Sequence, residues 1–250
     1  MTHKVSAVLI AYNEATIIEE TLKALVWCDE IIVVDSGSTD RSQEIYDKYN
    51  CKVFIRDFDG FGTQKNFAFS QAKYDWILSM DADEVLSKKL QQEIQKKLEQ
   101  ETIEESAFNL PRTLIFLEKR IQSELKKPCL RLFNKNKGGV TLDKVHEIIK
   151  VEGKIGAFKN EMLHYSYKNI HDYFNKFNRY TTLASEKYIK NGKNKPKFVI
   201  IIYLPIKFIQ LYILRGCFLN GFPGFVWSLF SSFYPIVKYI KLVELKMNKK

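Results

Sequence analysis

Apolar positions in the first hundred residues fall into short unbroken runs, separated by segments whose apolar residues recur with helical spacing. The first run, Val5 to Ile10, leads into an amphipathic stretch from Glu14 to Val26. A second strand follows at Ile31 to Val34, then a helix pattern from Arg41 to Tyr49 and a third strand around Val53 to Ile55. After the Gly-broken loop Asp59-Gly60-Phe61-Gly62 come a helix over roughly Gln64 to Ala72 and a fourth strand, Trp76 to Met80. Unbroken apolar strands alternating with helices predict an α/β, Rossmann-like, mostly parallel sheet with flanking helices. Such sheets bind ligands beyond the carboxyl ends of their strands, so polar residues that follow strands directly are the first place to look for chemistry.

Beyond this region, residues 87 to 105 read as a polar helix, Phe108 to Phe116 as extended chain and Ile170 to Lys190 as a helix. The basic loop Asn134 to Gly139 lacks the Gly-Lys-Ser/Thr of a phosphate-binding P-loop and reads as a turn. The basic linker Asn191 to Pro196 marks a boundary, giving a first domain over 1–190, with halves 1–105 and 106–190, and a C-terminal region over 191–250. From Phe198 to Val237 the chain is apolar and aromatic, interrupted by Lys207 and Arg215 and then by Gly221, Pro223, Gly224 and Pro235. No stretch there offers the roughly 20 uninterrupted apolar residues of a membrane span, so the pattern predicts amphipathic or re-entrant helices at a bilayer interface.

The net charge of +10 is unevenly placed: residues 1 to 125 hold 15 Lys and Arg against 22 Asp and Glu, residues 126 to 250 hold 24 against 7. The basic half flanks apolar blocks and threads no polar surface, which suits an anionic leaflet and argues against nucleic acid. Four scattered cysteines, Cys28, Cys51, Cys129 and Cys217, form no C-x-x-C pair and read as reduced cytosolic thiols. The short run at Val5 to Ala11 has no small-residue cleavage site and is expected to be a buried strand, not a signal peptide.

Two acidic clusters follow strands. Asp35, in Val33-Val34-Asp35-Ser36-Gly37-Ser38-Thr39-Asp40, either meets a ligand's polar edge or belongs to a turn in which Ser38 or Asp40 caps the next helix. In Met80-Asp81-Ala82-Asp83-Glu84, carboxylates two residues apart can bracket a divalent cation that also holds phosphate oxygens; otherwise they form a solvated turn before the helix at Ser87.

Tyr12-Asn13-Glu14, Asp35 to Asp40 and Asp81-Ala82-Asp83 occur in order at successive strand ends, and the set resembles glycosyltransferase family two over roughly residues 4 to 190. The resemblance implies a GT-A fold and inverting transfer of a sugar from a nucleotide-diphosphate donor. More narrowly, Asn66, Trp76-Ile77-Leu78, Asp81 to Glu84, Val145-His146-Glu147 and Leu163 to Tyr167 resemble bacterial β-1,4-glucosyltransferases that extend the inner core of lipopolysaccharide or lipooligosaccharide. Carried over by resemblance, Tyr12, Asn13 and Glu14 line the nucleoside pocket and Asp35 holds the uracil edge. Lys65 and Asn66 lie beside the nucleotide, Asp81 lies near the ribose and Asp83 reaches a Mg²⁺ or Mn²⁺ ion. Where many members place Pro before the Tyr, this chain has Ala11.

Inverting transfer needs a carboxylate across the sugar from the metal to take the acceptor's proton. Glu147 stands where the family places that base, and the alternative is a surface Glu in a turn. His146 either orients Glu147, contacts the acceptor or packs. His164 is either a metal or diphosphate ligand or a hydrogen-bonded strand histidine. Lys176 and Arg179, three apart on a helix, either meet a phosphate or face solvent. The resemblance thus implies a hexose, glucose from UDP-glucose, transferred to a lipid-anchored core oligosaccharide at the cytoplasmic face of the inner membrane by a peripheral or monotopic enzyme. The alternatives are a polyprenyl-phosphate acceptor or a non-catalytic nucleotide-binding module.

Overall fold

The computed structural model describes residues 2–140, 149–190 and 199–247. The chain divides into two units, Met1–Thr113 with Lys126–Tyr165, and Leu114–Leu125 with Ser166–Lys250.

In chain order, the first unit begins with β1 (Val5–Ala11), α1 (Ile18–Lys23), β2 (Glu30–Asp35), α2 (Ser42–Lys48), β3 (Lys52–Ile55), α3 (Phe61–Ser70) and β4 (Trp76–Asp81). It continues with β5 (Glu84–Leu86), α4 (Lys88–Leu98) and β6 (Ala107–Phe116), the last of which runs on into the second unit as far as β7 (Lys119–Arg120). Back in the first unit are β8 (Lys127–Asn134), β9 (Gly138–Val140), β10 (Ile149–Val151), β11 (Ile155–Ala157) and β12 (Met162–His164).

The main sheet runs in the order β3-β2-β1-β4-β8-β6-β12-β5, with β11 beside β6. Its first four strands are parallel, whereas β8 is antiparallel to both β4 and β6, and β5 to β12. β1 and β2 are almost wholly buried because apolar side chains cover both faces, which is why they read as continuous runs and do not alternate. One face packs Leu9, Leu22, Leu25, Leu78 and Leu90 with α1 and α4; the other packs Val8, Ile32, Ile77 and Phe133 with Ala68 and Phe69 of α3.

Helix boundaries follow local chemistry. α3 starts at Phe61, a turn before the position that periodicity suggests, because Gly60 takes φ +131° and lets the loop enter the helix there. The polar stretch after residue 87 is helical only as far as Leu98: Ser87 caps it, accepting from the Leu90 N–H at 3.3 Å, and Leu90, Ile94 and Leu98 bury one stripe.

The second unit holds α5 (Ile170–Lys190), α6 (Val199–Ile209), a π-helical turn (Gln210–Leu214), a 3₁₀ turn (Cys217–Asn220) and α7 (Gly221–Met247). The glycines and prolines that the sequence pattern presents as breaks do not interrupt α7: Gly221 and Pro223 lie in its first turn, where amide donors lack helical partners, and Pro235 lies inside it. The core of this unit is aromatic, with Phe116, Tyr167, Tyr173, Trp227 and Phe230 in mutual ring contact. Gly224 is buried where a Cβ would stand 1.9 Å from the Cys217 carbonyl oxygen, so only glycine admits that approach. Asn220 ties the excursion 114–125 to this unit, accepting from the Gln122 N–H at 2.9 Å and donating to the Arg120 carbonyl at 2.7 Å.

Candidate active site

The carboxyl ends of β2, β1 and β4 stand side by side, with Asp35 paired in register to Ala11 and Asp81 to Ile10. The sheet therefore brings the three polar segments that resemble the family motifs to one edge.

Two loops are sewn together there. Asn13, at φ +54°, accepts with Oδ1 from the Thr39 N–H at 2.8 Å and the Asp40 N–H at 3.3 Å, while its own N–H donates to Ser38 Oγ at 2.8 Å. The Glu14 N–H donates to Ser42 Oγ at 3.1 Å and the Ala15 N–H to Asp40 Oδ2 at 3.0 Å. Asp35 is fully buried. Its Oδ1 accepts from the Gly37 and Ser38 N–H groups, and its Oδ2 from Ser38 Oγ at 2.6 Å and Tyr46 Oη at 2.9 Å. Those four bonds use the capacity of a carboxylate, so Asp35 shapes the Ser36–Asp40 turn. Burial, and then the neighbouring Asp35 charge, push the Tyr46 phenol far above its ordinary range and keep it a donor. Tyr12 is 57% exposed beside this scaffold.

The Asp81–Glu84 turn is held from several directions. Glu84 is fully buried and accepts from the Asp81 N–H at 3.1 Å, Thr21 Oγ1 donates to the Ala82 carbonyl at 2.8 Å, and the Tyr165 N–H donates to the Asp83 carbonyl at 2.9 Å. Asp81 is bracketed by two cations, Lys65 Nζ at 3.0 Å on Oδ1 and Arg131 Nη2 at 2.5 Å on Oδ2. The same Arg131 atom is 2.6 Å from Glu84 Oε1, and Arg112 lies 3.5 Å from that oxygen. Burial works to raise the Asp81 pKa, but the Arg131 and Lys65 charges outweigh it and hold the carboxyl well below the usual carboxylate range. Arg131, despite its burial, is likewise held above its ordinary value by Asp81 and Glu84.

Antiparallel pairing of β12 with β5 sets His164 opposite Glu84 and brings His164 Nε2 to 3.4 Å from Asp83 Oδ2. A carboxylate oxygen beside an imidazole nitrogen is a donor set that suits Mn²⁺ and accepts Mg²⁺. Among the described residues no group of three or more His, Cys, Asp or Glu converges, so Asp83 and His164 alone would supply protein ligands to such an ion. Asn66 is half-buried on α3 beside Lys65.

Lys176 and Arg179 belong to the second unit. Lys176 donates to the Ser166 carbonyl at 2.5 Å and pairs with Asp172 at 3.2 Å, and Arg179 is exposed. His146 and Glu147 lie outside the described residues. Arg131 carries much of the geometry yet escapes the motif-based reading; an Arg inside the apolar strand Leu130-Arg131-Leu132-Phe133 is the signal of a buried acidic partner.

This edge of the sheet gathers the sewn loops, the exposed Tyr12 and the paired carboxylate and histidine at the carboxyl ends of the parallel strands. The model of Glycosyl transferase family 2 matches residues 6–115. A glycosyltransferase of Rickettsia bellii (strain RML369-C) is 32% identical, the alignment covering 99% of this chain and 89% of that protein. The lipopolysaccharide core biosynthesis glycosyltransferase LpsC of Rhizobium meliloti (strain 1021) is 30% identical over 96% of this chain and 92% of its own length. A crystal structure of S. aureus TarS 1-349 in complex with UDP-GlcNAc aligns over 45% of this chain and 35% of that one, at 23% identity and a TM-score of 0.38. The chain belongs to glycosyltransferase family 2.

Proposed function

We propose that this family 2 glycosyltransferase moves a hexose, glucose from UDP-glucose, with inversion onto a lipid-anchored core oligosaccharide at the cytoplasmic face of the inner membrane. The observation that carries the reading is the meeting of Tyr12, Asp35, Lys65, Asp81, Asp83 and His164 at one sheet edge. The kinship with LpsC supports a lipopolysaccharide core acceptor.

In this reading the uracil stacks on the exposed Tyr12 ring, with Asn13 and Glu14 beside it and Asp35 at its polar edge. Asp81 meets the ribose, while Lys65 and Asn66 lie beside the nucleotide. Asp83 and His164 would hold Mg²⁺ or Mn²⁺, which when bound supplies positive charge to the departing diphosphate. The buried salt bridges of Arg131 hold the Asp81–Glu84 turn, so Asp83 is presented without reorganisation as the donor arrives. Glu147 takes the proton from the attacking acceptor hydroxyl as the diphosphate departs. Lys176 and Arg179 are candidates for acceptor phosphate contacts.

A thermal-shift screen of nucleotide sugars with and without Mn²⁺ tests the donor assignment, because a ligand that binds only the folded state raises its stability. UDP-glucose is expected to give the largest metal-dependent shift. Failure of every UDP-sugar to shift the transition contradicts the assignment.

A further inference from the structure

The second unit carries an apolar surface that its own packing does not cover. On α6 and the π-helical turn after it, Ile202, Ile206, Ile209 and Ile213 recur with spacings of four, three and four residues, and they are 52%, 59%, 48% and 55% exposed. The opposite face of the same helix is packed: Phe208 and Tyr212 stack at 5.2 Å, and both meet Phe225 of α7. At the corner that leads to α7, Leu214, Phe218, Leu219 and Phe222 continue the exposed surface, with Leu214 at 77% and Phe222 at 72%. Between residues 202 and 225 every exposed position is apolar or glycine except Arg215.

Among the described residues no single helix makes a simple span, although a pair bent at the corner has the length and composition for a broken one. α6 with its π-helical turn extends about 24 Å at 1.5 Å per residue, short of the roughly 30 Å hydrocarbon core. The chain then bends by 70° through Gly216, at φ +71°, before α7 begins, and among the described residues no single helix is both long and apolar enough to cross. Charge selects the partner. From residue 187 to residue 243 the chain has no Asp or Glu, whereas Lys207, Arg215, Lys238 and Lys241 lie within the described part. A second copy of this surface would set cations against cations with no acid between them. Anionic lipid headgroups offer the opposite charge above an apolar layer.

We propose that the outer face of α6 and the corner to α7 form an in-plane wedge that inserts into the headgroup boundary of an anionic bilayer, Ile206, Ile213, Leu219 and Phe222 entering the acyl region. Arg215 at the corner reaches back to the phosphates, as long cationic side chains do at such boundaries. The wedge deepens the reading of a lipid-anchored acceptor and rests on it for its purpose, but its physical basis is independent of the donor site.

The full-length protein is mixed with phosphatidylcholine vesicles, with or without phosphatidylglycerol, and bound protein is measured by flotation. The parent is expected to float with the anionic vesicles at low salt. The double variant Leu219→Glu/Phe222→Glu is expected to lose at least about tenfold in partitioning while keeping its UDP affinity. The milder Leu219→Ser/Phe222→Ser pair serves if the glutamates impair folding, and it too should bind several-fold less than the parent. Flotation of either folded variant equal to the parent's overturns the proposal. So does a parent that ignores vesicles and elutes as a dimer that the substitutions dissociate. Titrating UDP-glucose into the same samples separates the two readings: a parent that floats but binds no UDP-sugar loses the donor assignment and keeps the wedge, and the reverse result loses the wedge alone.

Discussion

Replacing Arg131 with Met removes the cation that joins Asp81 to Glu84 while keeping an unbranched side chain of similar reach. Arg131 is 5% exposed and Glu84 fully buried, so the substitution strands a carboxylate whose nearest remaining cation, Arg112, is 3.5 Å away. Breaking a buried ion pair by removing one partner costs roughly 3–5 kcal/mol, a large share of the 5–15 kcal/mol typical of a folded domain. At about 2–4 °C per kcal/mol for a domain of this size, the first thermal transition should fall by roughly 6–20 °C at pH 7. The loss should also depend on pH. Asp81 has a folded-state pKa held below its unfolded value, so its pairing stabilises the fold above the unfolded carboxylate range near 3.9 and that stabilisation is lost as pH falls. The gap between parent and variant is therefore full at neutral pH and narrows below about pH 4. Circular dichroism melts at pH 7 and pH 3.5, with Arg131→Lys as the charge-retaining control, measure both effects. A shift under about 1 kcal/mol at pH 7, or an equal shift at both pH values, would refute the reasoning.

Asp83→Ala should abolish the Mn²⁺-dependent part of UDP binding measured by calorimetry while leaving the melt nearly unchanged, since the Asp83 main chain keeps its bond from Tyr165. Glu147→Gln should preserve UDP-sugar affinity and lower turnover by about two to four powers of ten, the usual worth of a positioned general base; unchanged turnover moves the base elsewhere. Gly224→Ala should destabilise the second unit, because its methyl would need the space of the Cys217 carbonyl oxygen; urea unfolding followed by Trp227 fluorescence in a Trp27→Phe/Trp76→Phe background tests this, and an unchanged midpoint would contradict it.

The parallel half of the sheet was legible because its strands are buried on both faces and announce themselves as apolar runs, and because the polar residues that matter follow those runs directly. Asp35 and Asp81 could be placed at strand ends from the sequence alone. The pairing of His164 with Asp83 was open, since it depends on β12 lying antiparallel to β5, a contact between segments some eighty residues apart. Arg131 was missed for a related reason: only the antiparallel register of β8 on β4, with Leu132 opposite Leu78, turns the neighbouring Arg131 toward Asp81. In the C-terminal region the apolar and basic pattern was visible, but the continuity of α7 was not. Proline and glycine read as breaks until one sees that two of them occupy the helix's first turn and that Gly224 is needed for close packing.

The central claim, inverting hexosyl transfer from a UDP-sugar, is tested most directly by incubating the enzyme with UDP-glucose, Mn²⁺ and a purified lipid-linked core oligosaccharide, following UDP release and reading the new linkage by NMR. UDP release is expected to require acceptor and metal and to yield a β-linked glucose from the α-linked donor. An α-linked product, or no UDP release from any UDP-sugar, would contradict it.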